Sequence, residues 1–147
     1  MNNLLIVDNN YNILAISDCI SGNHHDSYEI VENVQRMIDS LTKGDIDYRQ
    51  SHINADSGFD VKAFLELIKK QEMIPNIKQN IRNTKKKDRE YRYLHELIYQ
   101  FRFKIEVVFA WLDTYKRILN RFEQLAVNFK SWLHLGAAMI NFRHIFN

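Results

Sequence analysis

The residues best suited to chemistry are acids that lie in two separate segments. Asp56 stands in NADSGFD, directly before the small pair Ser57 and Gly58. A single Asp in such a place commonly forms a turn or caps a helix, because its short side chain accepts hydrogen bonds from nearby backbone N–H groups. Metal-dependent or acid–base chemistry needs a second carboxylate brought to it from elsewhere in the chain.

The segment YQFRFKIEVVFAWLD supplies a candidate for that second acid. Four polar residues recur at helical spacing, on one stripe: Tyr99, Arg102, Glu106 and Asp113. An adjacent apolar stripe is predicted to face the core: Ile105, Val108 and Leu112. By spacing alone, Glu106 is either a carboxylate held beside an arginine toward a sheet edge or half of an ordinary surface pair worth about 0.2–0.5 kcal/mol.

Short apolar runs predict the strands that would position these residues. Two β-branched runs in LLIVDNNYNILAIS flank an Asx-rich turn from Asp8 to Asn12 and predict a hairpin. SHINAD and MIPNIKQN predict two further short strands, the second with the only proline, Pro75. These strands alternate with helical patterns, which favours an α/β fold with a mixed sheet and flanking helices.

Four helices are predicted from apolar residues at helical spacing. The first lies in HHDSYEIVENVQRMIDSL, where Asp26 and Glu29 resemble a capping box, and the second begins near Asp60. Two long helices end the chain, over about 90–120 and about 122–146. The last contains a small-residue patch that would allow close packing: Gly136, Ala137 and Ala138.

Length and composition predict one globular domain over residues 1–147. The chain is 46% hydrophobic, its single Cys19 excludes an internal disulfide, and its apolar runs are too short to span a bilayer. We therefore expect a soluble cytoplasmic protein.

Charge is distributed unevenly along the chain. Residues 1–60 contain three Lys/Arg and ten Asp/Glu, so this part is acidic. Residues 61–147 contain 17 Lys/Arg and 8 Asp/Glu, so this part is basic. A basic connection over 81–92 contains six cations, of which five are candidate phosphate contacts: Lys85, Lys86, Lys87, Arg89 and Arg92. Either these side chains contact DNA phosphates without regard to sequence, in which case the binding affinity falls steeply with salt, or they belong to a solvated loop.

The order of motifs resembles the C-terminal part of DDE-type insertion-sequence transposases, in the large group numbered four and five. GNHHDS, NADSGFD, DRE and the long aromatic-rich segment from Tyr99 follow one another at matching spacing. That family has a strand ending in Asp-x-Gly-Tyr/Phe, matched by Asp56 to Phe59, and a helix with Tyr-x2-Arg-x3-Glu. The second motif is matched by Tyr99, Arg102, Glu106, Phe109 and Trp111.

The resemblance implies a ribonuclease-H-like fold and a metal-dependent nuclease site. Asp56 matches the second catalytic Asp and Glu106 the catalytic Glu, 50 residues apart. Both would bind Mg²⁺ or Mn²⁺ for DNA strand cleavage and transfer. Tyr99 and Arg102 match positions that hold DNA, whereas Asp113 replaces a Lys found in part of the family. The implied partners are DNA, at terminal inverted repeats and target sites, and further copies of the chain.

The family's first catalytic Asp has no counterpart, because its strand precedes the hairpin. Asp8 is expected to stay in its turn, Asp18 matches no motif, and Asp26 beside His24 and His25 is better explained as a helix cap. We expect the chain alone to be inactive, either as the product of a downstream reading frame whose upstream polypeptide supplies that Asp or as a truncated copy. The missing strand also predicts an exposed sheet edge, and with it either poor solubility or strand pairing with another chain.

Two other functions remain open. A non-catalytic DNA-binding remnant of a transposase would use the basic C-terminal part without metal. A helical protein-interaction module would present Phe109, Trp111 and Trp132 to a partner and would show no salt-sensitive DNA binding.

Overall fold

The strands form two separate two-stranded sheets in the residues that the computed structural model describes, 3–20, 29–80, 92–120 and 122–146. β1 (Leu5–Val7) pairs antiparallel with β2 (Ile13–Ile16), with a bulge between Ile6 and Val7. β3 (His52–Ala55) pairs in parallel with β4 (Ile74–Ile77). The predicted hairpin and both later strands are confirmed, and the fold is mixed α/β.

The hairpin turn is built by Asp8, as its sequence indicated. Its Oδ1 accepts hydrogen bonds from the N–H groups of Asn10 and Asn12 at 2.7 and 2.9 Å, and its Oδ2 accepts one from the Asn12 side chain at 2.8 Å. Tyr11 adopts a left-handed conformation with φ 64°. Both carboxylate oxygens of Asp8 are thus used by the turn.

The helices differ from the prediction mainly in the second half of the chain. α1 is Ile30–Lys43, α2 is Lys62–Lys70 and α6 is Ala126–Phe146. Between them, the single helix predicted over about 90–120 is wrong, because the described part contains three short helices: α3 (Glu96–Tyr99), α4 (Lys104–Asp113) and α5 (Lys116–Leu119). A 3₁₀ segment, Gln100–Phe103, joins α3 to α4, and extended backbone at Tyr115 separates α4 from α5.

The predicted starts of two helices, α1 and α6, also differ from the structure. Glu29, which precedes α1, is left-handed with φ 47° and makes no side-chain cap. The predicted capping box is therefore wrong at Glu29, and its partner Asp26 lies outside the described residues. α6 begins at Ala126, four residues after the predicted start.

Helices cover both faces of the β1–β2 hairpin. On one face, Ala15 packs with Met37 and Leu41 of α1. On the other, Ile13 and Ile16 join the buried side chains of α4 and α6, including Leu112. α1 and α2 extend the first layer over β3 and β4 through a cluster with Ile38 and Phe64. The β1–β2 hairpin therefore lies within a layered core.

The small-residue patch in α6 allows close packing, as predicted. A Cβ atom at Gly136 would lie 2.8 Å from Ile118 Cδ1 and 3.2 Å from Leu112 Cδ2. Ala137 is buried beside it, whereas Ala138 is exposed. α6 consequently packs closely against α4 and α5, the helices that follow the candidate site.

Candidate functional site

Asp56 lies at the end of β3, where the chain leaves the sheet. Its Oδ1 accepts the N–H of Ser57 at 3.1 Å and so caps the 3₁₀ turn Ser57–Phe59. The other oxygen, Oδ2, points to Arg102, and the side chain is 65% exposed. Asp56 thus has the capping role that its sequence context suggested and keeps one oxygen available for a further ligand.

Glu106 reaches the same place from the first turn of α4. The Nη1 atom of Arg102 lies 3.4 Å from Glu106 Oε1 and 3.7 Å from Asp56 Oδ2. Glu106 is also 65% exposed, whereas Arg102 is 32% exposed. Two acids separated by 50 residues in the sequence therefore flank a single guanidinium. Exposed ion pairs contribute only about 0–1 kcal/mol, so this arrangement is not a major source of stability.

A buried amide network holds the start of this helical segment against the sheet. Asn76, which is 2% exposed, donates from Nδ2 to Asn54 Oδ1 at 2.8 Å, and its Oδ1 accepts the N–H of His95 at 2.8 Å. Asn54 donates in turn to the C=O of Ile98 at 3.0 Å. These bonds connect β3 and β4 to α3 and therefore position Arg102, one turn farther on, relative to Asp56. The network was not predicted from the sequence, since an Asn inside a strand pattern carries no signal of its partner.

The remaining DNA-contact candidates have varied surroundings. Tyr99 is half-buried, and the Arg102 guanidinium lies 5.9 Å from its ring centre. Arg92 forms an ion pair with Asp60, a side chain that is 8% exposed, so its charge is compensated within the fold. The other four candidates of the basic connection lie outside the described residues: Lys85, Lys86, Lys87 and Arg89.

Other acids and aromatic residues occupy structural positions. Asp18, predicted within a strand, follows β2 and forms ion pairs with Arg36 and Lys130. Asp113 is exposed on α4, and His24, His25 and Asp26 lie outside the described residues.

Trp111 lies on the inner side of α4. Its ring centre is 5.4 Å from both Tyr11 and His144, and it packs against the core. It therefore does not join Phe109, which is 39% exposed, in the partner-facing seam that the interaction-module hypothesis requires.

Comparison with protein families identifies the chain. The model of the family described as transposase DDE domain matches residues 1–142. The chain belongs to the transposase DDE domain family. Comparisons with curated proteins and with solved structures found no match. The predicted resemblance to DDE transposases is thereby confirmed, and a function in the DNA cleavage and transfer of transposition follows from membership.

A transposase DDE domain generally uses a divalent metal ion, and the two acids suit one. Carboxylate oxygens are the ligands that Mg²⁺ prefers, and proteins often hold it by one or two carboxylates together with substrate phosphates. Asp56 and Glu106 can supply such a partial ligand set. Across the ranges that the structure describes, no group of three or more His, Cys, Asp and Glu side chains is placed to hold a metal. Nor is any helix in those ranges long and apolar enough to cross a membrane.

Proposed function

We propose that residues 1–147 form most of a ribonuclease-H-like catalytic domain of an insertion-sequence transposase, of the group numbered four and five. The observation that carries this proposal is the meeting of Asp56 and Glu106 on either side of Arg102, in a chain that belongs to the transposase DDE domain family. The fold supports it by bringing one acid from a strand end and the other from a helix.

Each residue of the site has a distinct task in the proposed reaction. Asp56 and Glu106 present carboxylate oxygens to Mg²⁺ or Mn²⁺, which would activate the attacking oxygen and stabilise the leaving oxygen at phosphorus. Arg102 presents a planar donor fork that matches a phosphate, and Tyr99 supports the guanidinium from one side. The partners are DNA at terminal inverted repeats and target sites, and other copies of the chain.

Residues 1–147 are proposed to be incomplete as a catalyst. A two-metal phosphoryl-transfer site of this type uses three acids, and only two described ones converge. Asp8 and Asp18 do not substitute, since the first completes a turn and the second pairs with Arg36 and Lys130. The third acid would come from outside these residues. The alternative is a DNA-binding remnant with no catalytic role.

Metal binding tests the assignment of the acids directly. Mn²⁺ titration of the purified chain, followed by electron paramagnetic resonance, should show one site whose affinity falls at least tenfold in Asp56→Asn and in Glu106→Gln. Asp113→Asn is the matched control, because Asp113 is exposed on the same helix, seven residues beyond Glu106. Equal weakening by all three substitutions would show that Mn²⁺ binds only to general negative charge.

DNA assays separate the two candidate functions. With Mg²⁺ or Mn²⁺, the chain alone should leave supercoiled plasmid uncut while binding duplex DNA. Robust metal-dependent nicking that disappears in Asp56→Ala would show that no third acid is missing. The DNA-binding remnant would be favoured if DNA affinity were unchanged by removal of metal and by Glu106→Gln, and if no Mn²⁺ site were found.

A further inference from the structure

The outer side of α6 carries a second apolar stripe. The inner side packs on the core through Phe129, Leu133 and Ile140. By helical periodicity, six large apolar side chains lie together on the opposite side, and each is 43–73% exposed in the described structure. They are Val127, Leu135, Met139, Phe142, Ile145 and Phe146. A helix that is apolar on both sides is typically covered on both, so this outer stripe calls for a partner.

The chemistry of the stripe favours an apolar partner. The shorter residues between its large members are uncharged, and α6 contains no acid: Asn128, Ser131 and Ala138. Lys130 lies on one flank and already pairs with Asp18. DNA binding requires cations on the contact surface, and a basic partner would require acids. The stripe therefore suits another apolar surface.

The exposed area is close to what a stable dimer needs. Aromatic side chains bury roughly 150–250 Å² each and aliphatic ones less, so the six partly exposed members present on the order of 600 Å². Pairing two such stripes would bury about 1,200 Å², the lower end of the range for specific protein–protein interfaces. The stripe of one copy is thus large enough to hold a second copy.

The order of residues along the stripe makes it self-complementary. Ser131, Leu135, Ala138, Phe142 and Ile145 follow one another at intervals of four, three, four and three residues. This is the repeat of a coiled-coil seam. Ala138 lies at its centre, with Ser131 and Ile145 each seven residues away. A two-fold axis at Ala138 would therefore place small residues opposite large ones.

A depression beside Ala138 gives this axis a physical basis. It has a volume of about 320 Å³ and is lined by Ala138, Met139, Phe142 and Arg143. The rings of Phe142 and Phe146 lie next to it, with their centres 4.4 Å apart. The short side chain of Ala138 leaves room there for a large side chain from a second helix.

We propose that α6 pairs with α6 of a second copy, antiparallel, about a two-fold axis at Ala138. Ser131 then faces Ile145 of the other copy, and Leu135 packs beside Phe142 of the other copy. A two-fold contact of this kind uses the same surface on both copies, so assembly stops at two.

Electrostatics favour the antiparallel orientation. The dipoles of the two helices oppose each other, so each end lies beside an end of opposite partial charge. Arg143, on the flank of the stripe, lies five residues from the axis, so the two copies of this cation are about 15 Å apart along the helices. This exceeds the Debye length of about 8 Å at physiological salt, whereas a parallel pair would bring the two cations together.

The pairing identifies a surface for the further copies that the proposed function expects, and its purpose rests on that function. Pairing itself requires neither metal nor DNA, because the stripe lies on the side of α6 opposite the core. Its test is therefore separate from that of Asp56 and Glu106.

Sedimentation velocity of the full chain, without metal or DNA, tests the pairing. It should show a monomer–dimer equilibrium with a dissociation constant in the micromolar range. Leu135→Glu and Phe142→Glu each bring two like charges into the seam, one from each copy, and should raise that constant by about tenfold or more.

Leu119→Glu is the matched control for these substitutions. Leu119 on α5 is 57% exposed, compared with 50% for Leu135, and lies outside the stripe. The same substitution there should leave the dissociation constant unchanged. Circular dichroism checks that each variant is folded.

Cysteine cross-linking locates the axis. In a Cys19→Ser background, Ala138→Cys should form a disulfide-linked dimer, because a residue on the axis meets its own counterpart within reach of a disulfide. Val127→Cys lies eleven residues from the axis, about 33 Å from its counterpart, and should stay unlinked. Equal cross-linking at both positions would indicate a parallel pair and overturn the proposal.

Three other results would also overturn it. The first is a chain that stays monomeric at about 1 mM. The second is a dimer that Leu135→Glu and Phe142→Glu leave unchanged. The third is a monomer that binds phosphatidylglycerol vesicles and loses this binding in Phe142→Glu, which would assign the stripe to a lipid surface. Mn²⁺ binding to Asp56 and Glu106 is measured separately and can succeed or fail without affecting these outcomes.

Discussion

Arg102 determines the electrostatics of the candidate site at the level of single residues. Its pair with Glu106 follows from i, i+4 spacing and was predicted, and the structure places those atoms 3.4 Å apart. The contact with Asp56 at 3.7 Å joins residues far apart in sequence, which no local pattern specifies. One cation therefore faces two carboxylates that are each 65% exposed to water.

Replacing Arg102 should change metal and DNA binding in opposite directions. Arg102→Gln removes a cation that repels Mn²⁺ and occupies both carboxylates, so Mn²⁺ affinity should rise by about thirtyfold, the factor for a unit charge and a divalent ion about 4 Å apart in water. Affinity for duplex DNA should fall, and the slope of log K against log salt should become shallower by about one. Mn²⁺ titration and anisotropy at several salt concentrations measure the two effects.

The control for this substitution is Arg49→Gln. Arg49 pairs with Glu72 at 3.3 Å, is 69% exposed and contacts neither acid of the site, so both affinities should stay unchanged. A fall in Mn²⁺ affinity in Arg102→Gln would show that Arg102 orients the acids rather than competes with the metal.

At the level of elements, local patterns predicted the architecture of the first half of the chain. The hairpin, β3, β4, α1 and α2 follow from apolar periodicity and turn residues. The region from Glu96 to Leu119 does not follow, because apolar residues continue at helical spacing through the breaks. There the backbone is held by tertiary hydrogen bonds from Asn54 and Asn76. The spacing of apolar residues does not predict such bonds. The residue types of the candidate site could be predicted from the sequence. The relative positions of Asp56, Arg102 and Glu106 could not, because they depend on these hydrogen bonds.

Asn76→Ala should destabilise the fold and weaken the site together. It leaves Asn54 Oδ1 and the backbone of His95 without their partner in a buried place, which costs about 1–3 kcal/mol. The start of α3 is then no longer fixed against β4, so Mn²⁺ affinity at Asp56 and Glu106 should also fall. Urea unfolding and Mn²⁺ titration measure the two effects.

Lys78→Ala is the control for this substitution, because Lys78 is exposed just beyond the same strand. Its unfolding free energy should stay within about 0.5 kcal/mol of the parent chain. Lower stability of Asn76→Ala with unchanged Mn²⁺ affinity would show that the network stabilises the sheet without positioning the site.

At the level of the whole molecule, α6 binds the region of the β1–β2 hairpin at two places. Asn141 binds the backbone of Ile13, 128 residues away, and Lys130 pairs with Asp18 just after β2. These contacts close the layer formed by α4 and α6 over the β1–β2 hairpin. They also keep that hairpin in place, so the two ends of the sequence depend on each other.

The pair of Asp18 and Lys130 should make this closure pH-dependent. The Lys130 hydrogen bond lowers the pKa of Asp18 from its ordinary value, burial opposes this, and the charges of Lys130 and Arg36 add to the lowering. Because the folded pKa lies below the unfolded value of about 3.9, the stabilisation is complete at neutral pH and is lost as pH falls through the folded pKa. Lys130→Met should therefore lower the unfolding free energy at pH 7, and the deficit should shrink below about pH 4.

The size of this effect is limited by solvent, since the side chains of Asp18 and Lys130 are 46% and 30% exposed. Screening keeps the deficit at pH 7 to about 0.5–1 kcal/mol. Urea unfolding at pH 7, 5 and 3 measures it, and Asp18→Asn alone and combined with Lys130→Met completes a double-mutant cycle. The coupling energy should be smaller at pH 3 than at pH 7, because the stabilisation is lost as pH falls from the unfolded pKa of about 3.9 through the lower folded pKa. A coupling that stayed constant over this range would show that Lys130 acts through its packing on the core and not through the charge of Asp18.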